Sequence, residues 1–220
     1  PNGTDGVPDG LGAPYAEIAR AALAAVPNRQ RRKFASMLVA TDRAFGRLLD
    51  ALDASSMYDD ALVVVASDNG GNPTADGAAS NWPLRGMKGY YFEGGVRCHG
   101  VVHSPLLGEK ATGSEFSGLM SVADWMPTLV GGFLDREGAL PPDLDGVNLW
   151  DAIAKTSAAT ARTRDELLLN IDLSTDMHAD EKVHSSAFIS GDLKLLQNVQ
   201  MMPRWPVPQN NTPHIGGPRG

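Results

Sequence analysis

The chain of 220 residues holds a single cysteine, Cys98, so neither an internal disulfide nor a cysteine-rich zinc site can form within it. No apolar run approaches the ~18 residues that a membrane-spanning helix needs, and no signal peptide is visible. Basic excess is missing too. The net charge is −7, which excludes a positive field that would draw the chain to nucleic acid or to an anionic membrane. A polyanionic substrate therefore has to be met by local Lys and Arg, or by a metal.

The residues that are present suffice for a real core: 42% are hydrophobic and 20% charged, ordinary values for a globular protein. The 24 glycines and 15 prolines concentrate in loops and at the two ends. The chain opens on Pro1-Asn2-Gly3 rather than Met and reads as an internal piece of a longer protein. Asn2-Gly3-Thr4 and Asn210-Asn211-Thr212 fit the N-glycosylation pattern, a short triplet that also arises by chance.

Residues 1–14 read as a loop, and an Ala-rich stretch over 15–25 as a helix. Asn28 is placed to cap a longer helix over 29–54. In that helix Phe34, Leu38, Thr41, Phe45, Leu48 and Leu52 recur at steps of three and four, which predicts one buried stripe. Residues 61–66 (ALVVVA) have the profile of a strand buried on both faces, as in parallel sheets. A second strand is expected over 98–103, and a helix over 121–133 capped by Ser121 and bent or shortened by Pro127. Beyond Pro141-Pro142 the texture changes. Strands are expected over 165–172, 186–190 and 193–196, the last two joined by Gly191-Asp192 as a hairpin. Residues from about 201 onward look irregular.

The chemistry concentrates in residues 62–97, LVVVASDNGGNPTADGAASNWPLRGMKGYYFEGGVR. Asp68 and Asn69 are hard oxygen donors at the exit of a strand, suited to Ca²⁺ or Mg²⁺; the same residues are also plain turn chemistry. Lys88 sits between small residues that let its ammonium approach an oxyanion; it also reads as an exposed loop lysine. Arg85 serves either as a second cation or as a brace for the loop, and Trp82 either lines a pocket wall or packs beneath the loop. Cys98 opens an apolar run and reads as a small hydrophobe. His99 and His103 fall on one strand face without a third partner, and His178 and His184 lie in an acidic, irregular segment.

Taken together, the linked motifs SDNGG, NWPLRGMKGYYFEGGVR and GVVHSPLL resemble the C-terminal half of the sulfatase family, nearest its arylsulfatase B-like (N-acetylgalactosamine-4-sulfatase-like) branch. The similarity extends over roughly residues 15–200, through TDRAFGRLL (41–49), SVADWMPTL (121–129), LDGVNLW (144–150), LLLNID (167–172) and GDLKLL (191–196). What the resemblance implies is an α/β fold of the alkaline-phosphatase-like kind. Residues 1–160 would be the later part of a large domain with a mixed, mostly parallel sheet and flanking helices. Residues 161–200 would begin a small antiparallel C-terminal domain, and 201–220 would form an irregular tail.

By the same resemblance, Asp68 and Asn69 match the acid–amide pair that ligates one Ca²⁺, and Lys88 matches the lysine that binds the substrate's sulfate. The loop from Asn81 to Arg85, with Trp82, would border the pocket. The implied reaction is hydrolysis of a sulfate ester, of a small molecule or a sulfated glycan, by a formylglycine made from cysteine in a Cys-x-Pro-Ser-Arg motif. This sequence departs from that pattern: it has no such motif, Cys98 reads Cys-His-Gly-Val, and the paired aspartates and upstream Lys and His of the pocket are absent. No catalytic residue is assigned within it. The family's second catalytic His is expected just before residue 1. The family's usual compartments are secreted, lysosomal or periplasmic. Two further readings stand beside this one: a phosphoester or phosphonate hydrolase on the same metal platform, and a non-catalytic pseudoenzyme or binding module that kept the scaffold.

Overall fold

The computed structural model describes residues 13–26, 28–73, 79–155, 163–172 and 185–199. The readings made for residues 1–12, for His178 and His184, for both glycosylation triplets and for the tail from 201 lie outside the described residues. The chain divides into two compact units, one ending at Val102 and the other comprising His103–Val199. Each is described by itself.

The first unit opens with α1 (Ala13–Ala24) and α2 (Arg29–Ala54). Asn28 caps α2 as its sequence position predicts: its side-chain oxygen accepts from the backbone N–H groups of Gln30 at 3.0 Å and Arg31 at 3.1 Å, satisfying donors that a helix start leaves unpaired. The expected buried stripe is different. Leu38, Phe45 and Leu48 are exposed by 55%, 37% and 46%. The face that packs lies one residue round the helix, where Ala35 and Val39 close on Ala19 and Leu23 of α1. Periodicity identifies residues that share a face, but not which face a neighbour covers. The small Ala19 and Ala35 let the two helices approach. Tyr15 holds the same junction from outside, its hydroxyl donating to Asp42 and its ring facing the guanidinium of Arg43 at 5.9 Å.

After α2 the chain enters β1 (Val63–Ala66), which pairs with β2 (Gly100–His103) in a two-stranded sheet. Both strands are shorter than the apolar runs that announced them. Val63, Val64 and Val65 are half-buried rather than enclosed on both faces. Past the end of β1 the pairing continues by one bond, from Ser67 N–H to His99 O at 3.0 Å. Between the two strands lies α3 (Glu93–Val96), a single turn with Gly94 and Gly95 buried.

In the second unit, residues 122–133 form one helical stretch of changing pitch. A 3₁₀ turn (Val122–Asp124) leads into α4 (Trp125–Pro127) and then a π-helical turn (Thr128–Phe133). The tight start follows from a capping box: the Ser121 N–H donates to Asp124 Oδ2 at 2.7 Å, and the Ala123 N–H to Ser121 Oγ at 3.3 Å. The stretch runs on past Pro127, which alters its pitch rather than ending it. Trp150, at the start of α5 (Trp150–Ala154), meets Phe133 edge to face at 5.2 Å.

Three antiparallel strands complete this unit: β3 (Glu166–Asp172), β4 (Ser185–Ser190) and β5 (Leu193–Gln197), in that order across the sheet. The β4–β5 hairpin closes through Gly191-Asp192 as expected, with Gly191 at φ 53°, a conformation that costs glycine least. Among the described residues the sheets are these two small ones. A mostly parallel sheet is not among them, because the expected strands 61–66 and 98–103 pair only with each other.

Candidate functional site

The end of β1 is held by backbone contacts that only glycine permits. The Gly70 N–H donates to Gly95 O at 2.8 Å, and a Cβ built on Gly70 would fall 1.8 Å from Gly94 O. Gly94 in turn donates to Arg85 O at 2.6 Å, and a Cβ there would meet Gly86 O at 2.4 Å. Three segments (70–71, 85–88 and 94–95) are thereby zipped main chain to main chain. The Asp-Asn-Gly-Gly and Glu-Gly-Gly signatures are two sides of one contact.

The loop carrying the candidate cations is fastened to this corner by Asn81. Its Oδ1 accepts from the Gly71 N–H at 2.8 Å, and its Nδ2 donates to Gly71 O at 2.8 Å and to Gly86 O at 3.1 Å. The Lys88 N–H also donates to Gly71 O, at 3.3 Å. The backbone of Lys88 is thus anchored two residues beyond Asn69, and its side chain is exposed. Arg85 turns toward the protein instead, its guanidinium 4.1 Å from the centroid of the Phe92 ring, a cation–π contact that braces the loop. Trp82 is 46% exposed on the outer side of the same loop.

Asp68 is exposed and Asn69 half-buried. The Asn69 N–H donates to Asp68 Oδ1 at 2.8 Å, and Asn69 Nδ2 donates to Gly70 O at 2.9 Å, so neither bond engages Asp68 Oδ2 or the amide oxygen of Asn69. By their chemistry these two hard oxygens fit a calcium site as part of its donor set; calcium takes six to eight oxygens in all. No cluster of three or more His, Cys, Asp or Glu able to hold a metal occurs among the described residues. Any further protein ligands must come from other residues.

Burial pushes the Cys98 thiol pKa up and the negative charge of Asp68 adds to that shift, both opposing the thiolate that reactivity requires. His99 and His103 are exposed and belong to no metal-holding cluster among the described residues. The sequence reading took Asn81 only as the first residue of the pocket border. Its bracket to Gly71 was invisible because it spans ten positions of sequence across a turn of unknown shape.

The sulfatase family model matches residues 6–133, which includes the whole zipped corner. The chain belongs to the sulfatase family. Arylsulfatase J of Mus musculus is 43% identical over 147 residues, covering 66% of this chain and 23% of its own length. A sulfatase of Formosa agariphila is 35% identical over 79 residues, 32% of this chain and 14% of its own. The chain therefore spans less than a quarter of these relatives. The crystal structure of Ps i-CgsB in complex with k-i-k-neocarrahexaose superposes with a TM-score of 0.62 at 29% identity, covering 86% of this chain and 38% of that one. Ps i-CgsB alone gives 0.63 at 28%, covering 90% and 39%. The fold is accordingly the alkaline-phosphatase-like one of sulfatases, represented in part.

Proposed function

We propose that this chain supplies one side of a sulfate-ester hydrolase site, the side that grips the metal and the sulfate. The single observation carrying this reading is the zipped corner, which anchors Lys88 to the segment that presents the Asp68 and Asn69 oxygens. In this reading Asp68 and Asn69 hold Ca²⁺, which when bound supplies positive charge to the sulfate oxygens. The Lys88 ammonium donates to one of those oxygens, and Arg85 and Trp82 border the pocket. Fixed donors aimed where charge builds up stabilise a transition state without reorganising.

The attacking group in this reading is a formylglycine, whose cysteine motif this chain does not contain. Residues 1–160 then belong to the later part of the family's large domain, 161–200 to the start of the small antiparallel one, and 201–220 to the tail. A sulfated glycan is the favoured substrate class, because Ps i-CgsB, similar over most of this chain, is seen with a hexaose bound. In this reading the parent works in the secretory pathway, the lysosome or the periplasm, the compartments the resemblance implies. No helix among the described residues is long and apolar enough to cross a membrane.

The test is hydrolysis of a chromogenic aryl sulfate by the full-length parent. Asp68→Ala and Lys88→Ala each lose most of the activity in this account, and near-normal rates in both reject it. The purified 220-residue chain is expected to turn over no aryl sulfate and to bind calcium weakly. Faster hydrolysis of the matching aryl phosphate than of the sulfate by the parent favours the phosphoester alternative.

A further inference from the structure

The amide of Asn81 treats Gly71 as a strand neighbour would. Its oxygen accepts from the residue's N–H at 2.8 Å, and its nitrogen donates to the residue's C=O at 2.8 Å and to Gly86 O at 3.1 Å. Gly71 is the residue whose carbonyl also accepts from the Lys88 N–H, and Gly86 lies two positions before Lys88. Gly71 has no room to shift inward, since a Cβ there would meet Ala79 Cβ at 2.5 Å. One side chain thus joins the metal-facing corner to both sides of the lysine loop. Only an amide can do this, because the position needs one acceptor and two donations from a single planar group.

We propose that Asn81 is a positioning residue that sets the Lys88 ammonium relative to Asp68 and Asn69. This rests on the proposed site reading, and it names a residue that touches neither metal nor sulfate. Asn81→Asp keeps the shape and the acceptor but places a carboxylate oxygen against the carbonyls of Gly71 and Gly86. The loop is then pushed off the corner, and Lys88 moves with it. Protonation of the new carboxyl at low pH restores one donor and draws the loop back.

The experiment is a double-mutant cycle on the full-length parent with a chromogenic aryl sulfate, comparing Asn81→Asp, Lys88→Ala and the pair across pH. Asn81→Asp is expected to lose kcat/KM by on the order of 10²-fold at neutral pH, the scale of a misplaced catalytic group, and to recover part of that loss on acidification. The double variant is expected to be no worse than Lys88→Ala alone. Losses that multiply, or wild-type activity in Asn81→Asp, overturn the proposal. Near-normal activity in Lys88→Ala overturns the site reading and this inference with it, whereas an impaired Lys88→Ala with multiplying losses overturns the inference alone. If Asn81→Asp does not fold, Asn81→Gln, with the same groups on a longer stem, enters the same cycle and is judged by its loss and its coupling to Lys88→Ala alone, the pH comparison applying only to the carboxylate variant.

Discussion

Arg164 holds the carboxylate of Asp124 from forty residues away. Its Nε donates to Oδ2 at 2.9 Å and its Nη2 to Oδ1, while Asp124 is fully buried. The Val147 N–H donates to the same carboxylate at 2.7 Å, and Arg164 Nη2 also donates to Asp145 O at 2.7 Å. One buried ion pair therefore ties together the helix start at 121–124, the segment 145–147 and the entry to β3. Removing one partner leaves the other charge buried. Asp124→Ala is expected to cost about 3–5 kcal/mol in urea unfolding of the chain. A loss below about 1 kcal/mol, the scale of a surface pair, contradicts this packing.

The same pair sets an acid limit. Burial by itself would push the Asp124 pKa up, but the hydrogen bonds from Arg164, Ser121 and Val147 outweigh it and hold the carboxyl below the usual carboxylate range. A depressed folded-state pKa contributes stability that is present above the unfolded value of about 3.9 and is lost as pH falls through the folded one. The melting temperature is expected to be insensitive to Asp124 ionisation above about pH 5 and to fall steeply below about pH 4. Asp124→Asn, less stable at neutral pH, is expected to show a shallower acid limb; an equally steep limb removes Asp124 as its source.

At the corner, Gly70→Ala places a methyl 1.8 Å from Gly94 O, against main chain that cannot rotate aside. It is expected to cost about 4 kcal/mol or more, the range of outright backbone conflict, and to expose the amides of Gly70 and Lys88 to hydrogen exchange. Gly89→Ala is the control for space, since a Cβ there meets nothing within 4 Å; its φ of +88° leaves only conformational strain. Equal losses at the two positions contradict the zipped geometry.

The two faces of α2 offer a further check. Val39 packs against Ala19 and Leu23, so Val39→Ala is expected to destabilise the chain by about 1 kcal/mol. Leu38 is 55% exposed, and Leu38→Gln is expected to change stability by less than about 0.5 kcal/mol. The reverse order, measured by thermal unfolding of the 220-residue chain, restores the stripe that the sequence period predicts.

What could be read in advance follows from how local each signal is. The Asn28 cap, the Ser121 cap and the Gly191-Asp192 turn depend on residues within three or four positions, and all three form as expected. The α2 stripe failed because its period is local while its partner is not. The linked motifs from Ser67 to Arg97 carry the family, and through it the roles proposed for Asp68, Asn69 and Lys88, which spacing alone could not separate from turn chemistry. The Asn81 bracket and the Asp124–Arg164 pair were illegible, because each joins residues that only the finished chain path brings together.

The most direct test of the whole account is a crystal structure of the full-length parent with calcium and an unreactive sulfate ester. The account predicts a metal ion with the side-chain oxygens of Asp68 and Asn69 at about 2.3–2.6 Å, and Lys88 Nζ within hydrogen-bonding distance of the same ester's sulfate. A metal bound elsewhere, or a Lys88 ammonium turned to solvent while the ester is in place, contradicts it.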